Sequence, residues 1–271
     1  GVATAAPQTT FTVNGVYDMQ TFKMSGMSAS ANGVFTLASG ATLKTANTQG
    51  INDGTASSSL GGLNTTTTKA YNVAANYEFN GALAQNTNFP TSITTMAKLT
   101  VSNTAANVRI NKSITVNGDL TLTSGNLDLN GSFNITLGAS GNIVAETNAK
   151  RIINTGTPTA TNGFIGGVFT LGANPGNVAN LGMNITSATA MGASIIQRFP
   201  KVVSGIPTSL NSIGRIYAFQ PSTASTDSTI ILNYLDGELN GNTKTDPSFT
   251  LYNSTGTNET VAANYLYAGA S

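Results

Sequence analysis

Asp236 and Glu238, in the stretch NYLDGELNG, are the two carboxylates closest together in the chain. Paired carboxylates hydrolyse glycosidic bonds when they lie about 5 to 9 Å apart in a cleft. Gly237 and the Asn240-Gly241 pair favour a turn at this place rather than a regular strand. We therefore expect the two acids to cap or brace a turn, with Arg215 as a partner, and not to catalyse a reaction.

Asp119 and Asp128 form a second candidate pair, nine residues apart in DLTLTSGNLD. Asp119 alternates with Thr121 and Thr123, opposite Leu120 and Leu122, which indicates a half-buried strand with its polar side in water. For both acids we expect a solvated face.

Other chemistries are limited by composition. The chain has no Cys, His or Trp, which excludes thiolate metal sites, cysteine nucleophiles and any mechanism with imidazole as the base. We predict that the protein is not an enzyme and needs no cofactor. The oxygen-rich stretches Asn52–Gly54 and Asp246–Ser248 leave a structural calcium ion open, although neither has the acidic spacing of an EF-hand.

Two groups of residues are candidates for binding. Near the C-terminus, a sugar-stacking platform could be formed by three tyrosines, Tyr252, Tyr265 and Tyr267. Near the N-terminus, alternating residues after Pro7 suit a strand that pairs with a neighbouring subunit: Thr9, Thr10, Phe11, Thr12 and Val13. The alternative for this segment is an ordinary first strand of its own domain.

These residues must be positioned by strands. The 271 residues are 39% hydrophobic but only 8% charged, with a net charge of +1 and 29 Gly. Strict alternation broken by Asn-Gly or Ser-Gly indicates short strands and tight turns. The near-zero charge argues against nucleic acid as a partner, and no apolar run is long enough to span a bilayer as a helix.

An internal sequence repeat indicates a β-solenoid architecture. TVNG at Thr12–Gly15 and TVNG at Thr115–Gly118 are each followed by an alternating strand and further Gly-punctuated strands. A unit of about 20 residues with several short strands is typical of a β-solenoid coil. We predict an all-β protein with a β-solenoid or β-roll-like region over residues 1–156 and an antiparallel β-sandwich over 157–271. Residues 52–72 are predicted to be an exposed loop.

The chain also resembles a module of large secreted and cell-surface proteins of Bacteroidota. That module shows Y-x-F-N-G, a Gln, a Pro, L-x-V-x-N and a T-V-x-G-x-L-x-L run. The matching residues here are Tyr77–Gly81, Gln85, Pro90, Leu99–Asn103 and Thr115–Asn130. A segment that often follows has R-x-Y, a Pro and Y-x-D-x-E-L-N-G, which match Arg215–Tyr217, Pro221 and Tyr234–Gly241.

The resemblance implies an extracellular or cell-surface location, often reached by type IX secretion, and a role as adhesin, surface filament or scaffold. Combined with the composition, it favours a non-enzymatic structural protein whose copies join head to tail through strand contacts. The alternative is a glycan-binding module of a secreted polysaccharide-processing protein, with surface glycans as partners.

Overall fold

The computed structural model describes residues 10–24, 33–52, 57–63, 68–156, 162–201, 204–206, 210–211, 213–223 and 228–240. The chain divides into two compact units, Gly1–Ile165 and Gly166–Ser271. The described residues contain strands and two 3-10 turns. The predicted all-β class with an N-terminal β-solenoid is confirmed, and the solenoid strands run from residue 10 to residue 153.

The solenoid is built from sixteen short strands within the described residues. They are β1 (Thr10–Val13), β2 (Val16–Asp18), β3 (Val34–Leu37), β4 (Thr42–Thr45), β5 (Thr68–Tyr71), β6 (Asn76–Phe79), β7 (Gln85–Asn86), β8 (Thr95–Met96), β9 (Lys98–Ser102), β10 (Val108–Arg109), β11 (Ile114–Val116), β12 (Asp119–Ser124), β13 (Leu127–Asp128), β14 (Ile135–Leu137), β15 (Asn142–Val144) and β16 (Ile152–Ile153).

Successive strands of one coil belong to different sheets, and each sheet is parallel because coil stacks on coil. One sheet has the order β15-β12-β9-β6-β4-β2, a second the order β16-β13-β10-β7, and a third contains β14-β11-β8. At the N-terminal end, β1-β3-β5 form a separate parallel sheet.

The core is a column of apolar side chains stacked from coil to coil. Tyr77, Leu99, Leu120 and Ile143 are register partners along the six-stranded sheet, 22, 21 and 23 residues apart. All four are at most 2% exposed. The repeat of about 20 residues expected from the sequence is therefore the length of a coil.

The two TVNG segments lie at equivalent corners of the solenoid. Val13 ends β1 and Val116 ends β11, and the Asn-Gly pair that follows each turns the chain into the next sheet. Gly15 O accepts a hydrogen bond from Thr42 N, and Gly118 O accepts one from Asn142 N, so each corner is tied to the next coil in the same way.

The loop predicted for residues 52–72 is wrong in its described parts. Thr68–Tyr71 form β5, and Leu60 and Leu63 are buried at 0% and 2% exposure. Ser59 O accepts a hydrogen bond from Met24 N, which holds this segment against the N-terminal coil. The few apolar residues of the segment are its core contacts, a role that composition alone did not reveal.

The second unit is a mixed and antiparallel sheet region. Its strands are β17 (Ile165–Leu171), β18 (Gly176–Asn177), β19 (Met183–Thr186), β20 (Gly192–Phe199), β21 (Ser204–Ile206), β22 (Leu210–Asn211), β23 (Ile216–Gln220) and β24 (Thr229–Leu232). β20 pairs antiparallel with β23 beside β17, β18-β19-β24 form an antiparallel sheet, and β21 pairs with β22. The two 3-10 turns are Val178–Asn180 and Asp236–Glu238.

Candidate functional site

Asp236 and Glu238 lie in a 3-10 turn, and Glu238 braces it as expected. The Glu238 carboxylate is only 6% exposed and accepts hydrogen bonds from Arg215 Nη2 at 2.9 Å and Nε at 3.1 Å. Its other oxygen accepts the Leu235 backbone N–H at 2.8 Å. Asp236 is exposed whereas Glu238 is buried and ion-paired, so the two carboxylates have different environments.

The Arg215–Glu238 pair belongs to a buried polar cluster. Tyr217 donates a hydrogen bond to Leu181 O at 2.8 Å, and Arg198 Nη1 donates to the same carbonyl at 3.2 Å. Burial raises the pKa of the Tyr217 phenol, although the nearby Arg215 and Arg198 charges lower it. Removing one partner of the Arg215–Glu238 pair would leave an uncompensated buried charge, so the cluster has a structural role in this unit.

Asp119 and Asp128 have different environments. Asp119 pairs with Lys98 at 3.4 Å with 43% of its side chain exposed, as expected for a solvated face. For Asp128 that expectation is wrong, because its side chain is fully buried. The Asp128 carboxylate accepts hydrogen bonds from Thr155 Oγ1 at 2.5 Å, Thr155 N at 3.0 Å and Arg109 Nε at 3.1 Å.

Gln85 contacts two other residues of the motif that resembles Bacteroidota surface proteins. The Gln85 side chain, 1% exposed, accepts hydrogen bonds from Gly81 N at 2.7 Å and Asn103 Nδ2 at 3.0 Å. Its Nε2 donates to the carbonyls of Thr45 at 3.1 Å and Asn47 at 3.2 Å. The Gln, the Gly of Y-x-F-N-G and the Asn of L-x-V-x-N therefore meet at one corner, where Gln85 joins three consecutive coils.

The predicted inter-subunit strand lies at an edge of the solenoid. Thr10–Val13 form β1, which pairs with β3 of its own chain, while its other side has no strand among the residues placed by the structure. Val13 O accepts from Ala38 N, so Phe11 and Val13 direct their backbone groups to β3. Since backbone groups alternate along a parallel strand, those of Thr10 and Thr12 face the open side.

A stack of aromatic side chains also ends at this edge. Phe11 stacks on Phe35 at 6.0 Å and contacts Tyr17 at 5.1 Å. Phe35 is fully buried, whereas Phe11 and Tyr17 are half-buried and Phe22 is 74% exposed. The first coil thus leaves part of the core uncovered by the described residues.

Several predicted positions lie outside the described residues. They are Thr9, Asp53, Gly54, Asp246–Ser248 and the three tyrosines Tyr252, Tyr265 and Tyr267. Over the described part of the chain, no three acidic side chains come together in a group that could hold a metal ion. The glycan platform and the structural calcium ion stay predictions.

Sequence reasoning missed two features of the molecule. The motif includes Gln85 without predicting its contacts, and the strand pattern around Thr229–Leu232 does not predict that this strand lies at a sheet edge. The signal in the sequence is a Gln shortly after an Asn-Gly turn, where turned backbone groups need a partner.

Comparison with known proteins gives no relative: no protein-family model, curated protein or solved structure matches the chain. Among the described residues, no helix is long and apolar enough to cross a membrane.

Proposed function

We propose that the protein is a non-enzymatic, extracellular structural protein, a surface adhesin module or filament subunit whose copies join head to tail through β-strand contacts. The observation that carries the proposal is the open edge of β1, where the backbone groups of Thr10 and Thr12 have no partner among the described residues. An unpaired strand edge is a template for a strand of another chain.

The low charge of the molecule supports assembly. A net charge of +1 on 271 residues gives little repulsion between copies. β1 itself has the sequence TFTV, with neither a charged residue nor a Pro, the residues that normally protect an edge strand. The half-buried Phe11 and Tyr17 add apolar surface that a neighbouring subunit would cover.

The environments of the acids support a structural role. Glu238 is held by Arg215, and Asp128 is held by Arg109 and Thr155, so both buried carboxylates are used for packing. The extracellular location rests on the resemblance to Bacteroidota surface proteins.

Electron microscopy of purified protein tests the assembly. Thr12→Pro removes an N–H that faces the open edge while leaving the bonds to β3, because proline is tolerated on edge strands. We expect filaments from the native chain and none from Thr12→Pro or from a chain lacking Gly1–Asn14. Thr12→Val keeps the N–H and is the matched control, which should assemble like the native chain.

Circular dichroism of Thr12→Pro should match that of the native chain, showing that the fold is intact. A native chain that stays monomeric, or a Thr12→Pro variant that assembles equally well, would refute the strand-contact proposal. Turnover of any substrate in a panel of polysaccharides and peptides, abolished by Asp236→Asn or Glu238→Gln, would refute the non-enzymatic role.

A further inference from the structure

A second open edge lies on β24 in the second unit. β24 is the last strand of the sheet β18-β19-β24, and its sequence is TIIL. Ile230, Ile231 and Leu232 are all half-buried, so both sides of the strand carry partly exposed apolar surface. An uncharged apolar edge of this kind favours pairing with another strand.

The backbone of β24 can be assigned to its two sides. Asn233 N donates to Gly182 O at 2.7 Å, so Asn233 faces β19, and Ile231 faces it too because antiparallel strands alternate. The N–H and C=O groups of Ile230 and Leu232 therefore face the open side. They have no partner among the described residues, as with Thr10 and Thr12 of β1.

Two other strands at sheet edges are protected. On β16, the Ile152 N–H donates to the Glu146 carboxylate at 3.0 Å. On β2, the Asp18 side chain is charged, lies 3.9 Å from Lys44 and accepts hydrogen bonds from Gln20. Charged side chains at edges discourage pairing with a second molecule, and β1 and β24 both lack them.

We propose that β24 of one copy is the acceptor for the β1 edge of the next copy. Each edge is a four-residue strand with two residues directed outward, so Thr10 and Thr12 can pair with Ile230 and Leu232 along one continuous sheet. The two edges differ, and a contact between different surfaces does not close on itself, so it propagates into a filament. This inference rests on the proposed function and names the partner surface.

Cysteine cross-linking tests the contact directly, because the native chain has no Cys. The double variant Thr12→Cys/Ile230→Cys, treated with a short bis-maleimide, should give a ladder of covalent dimers, trimers and longer species. Each single-cysteine variant should give cross-linked species only at the background level. Thr12→Cys/Thr100→Cys is the matched control, since Thr100 lies on a central strand of the solenoid, and it should give no ladder.

Mixing variants separates this contact from other modes of assembly. Ile230→Pro blocks the acceptor edge and Thr12→Pro blocks the β1 edge, so each alone should be monomeric. Mixed in equal amounts, they should form a 1:1 dimer through the intact edges and no filament. Ile231→Pro, which removes a bond to β19, reports the effect of simply damaging the sheet, and circular dichroism of each variant checks its fold.

Native filaments that persist in Ile230→Pro, without a ladder from the cysteine pair, would overturn the acceptor assignment while the proposed function stands. Native protein with neither filaments nor cross-links would overturn both. A dimer of Ile230→Pro alone would show that β1 pairs with itself, which also contradicts the assignment.

Discussion

Single polar side chains fasten the coils of this solenoid at its corners. Gln85 joins the coils of Thr45, Gly81 and Asn103 through four hydrogen bonds. At another corner Asn111 ties its own coil to the preceding one, because its amide oxygen accepts a hydrogen bond from Phe89 N at 2.9 Å. A buried amide satisfies backbone groups that the turn has removed from the sheets, and the cost of leaving such groups unpaired keeps the coils in register.

Gln85→Leu should destabilise the protein by about 2 to 3 kcal/mol, because the buried Gly81 N–H loses its acceptor and leucine cannot replace it. Chemical denaturation followed by circular dichroism measures the change. Asn86→Leu, at the neighbouring outward position, is the control and should stay within about 0.5 kcal/mol. Equal effects of the two substitutions would show that the corner bonds contribute nothing.

We expect Asp128 to make the stability of the solenoid dependent on pH. Burial alone would raise the pKa of Asp128, but hydrogen bonds from Thr155, Asn130 and Arg109 outweigh it and lower the pKa below its ordinary value. A carboxyl with a lowered folded-state pKa stabilises the fold above its unfolded pKa. That contribution is lost as the pH falls through the folded pKa, below about pH 4.

Denaturation of Asp128→Asn should therefore show lower stability than the native chain at neutral pH and a weaker loss on acidification. Asp119→Asn, at the partly exposed carboxylate beside Lys98, is the control and should retain the acid-induced loss. An unchanged acid profile in Asp128→Asn would assign the loss to other groups.

At the scale of elements, the tight corners decide where one strand ends and the next begins. Gly125 lies between β12 and β13 with a φ of +73°, a conformation that side chains disfavour. A Cβ there would lie 2.5 Å from Asn103 O and 2.6 Å from Ala106 O of the preceding coil. The backbone of the preceding coil thus leaves no room for a side chain at this corner.

Gly125→Ala should destabilise the solenoid by about 2 kcal/mol or more, from the strained φ and from contacts that backbone atoms cannot relieve. Gly15→Ala is the control, because nothing lies within 4 Å of a Cβ at that corner, and it should change stability by less than about 1 kcal/mol. Thermal unfolding measures both. A Gly125→Ala variant as stable as Gly15→Ala would show that the corner rearranges freely.

At the scale of the whole molecule, the low net charge and the open strand edges both favour contacts between copies. The chain carries 12 basic and 11 acidic residues, and neither β1 nor β24 contains one. Contacts through backbone hydrogen bonds and apolar side chains are little affected by screening, unlike contacts between charged surfaces.

We therefore expect the extent of assembly to be the same in about 0.05 M and about 0.5 M NaCl, within the error of light scattering. The Thr12→Pro variant provides the baseline at each salt concentration. Assembly that disappears at the higher salt concentration would indicate a contact between charged surfaces and contradict strand pairing.

Local sequence patterns alone predict the all-β class, the repeat of about 20 residues and the outward position of Asp119. Alternation and Asn-Gly turns are local signals, and they set strand period and corner position without reference to the rest of the chain. The bracing of a turn by Glu238 and Arg215 could also be predicted, since one buried acid in a turn requires a cation nearby.

Which residues stack in the core and which strand edges stay open depends on how distant parts of the chain pack together. Asp128 alternates in sequence like a solvated residue, yet the Thr155 segment, 27 residues later, covers it. Leu60 and Leu63 lie in a polar stretch, yet both are buried in the core. The free sides of β1 and β24 likewise depend on which strands pair, and strand pairing is a contact between distant residues that local patterns do not encode.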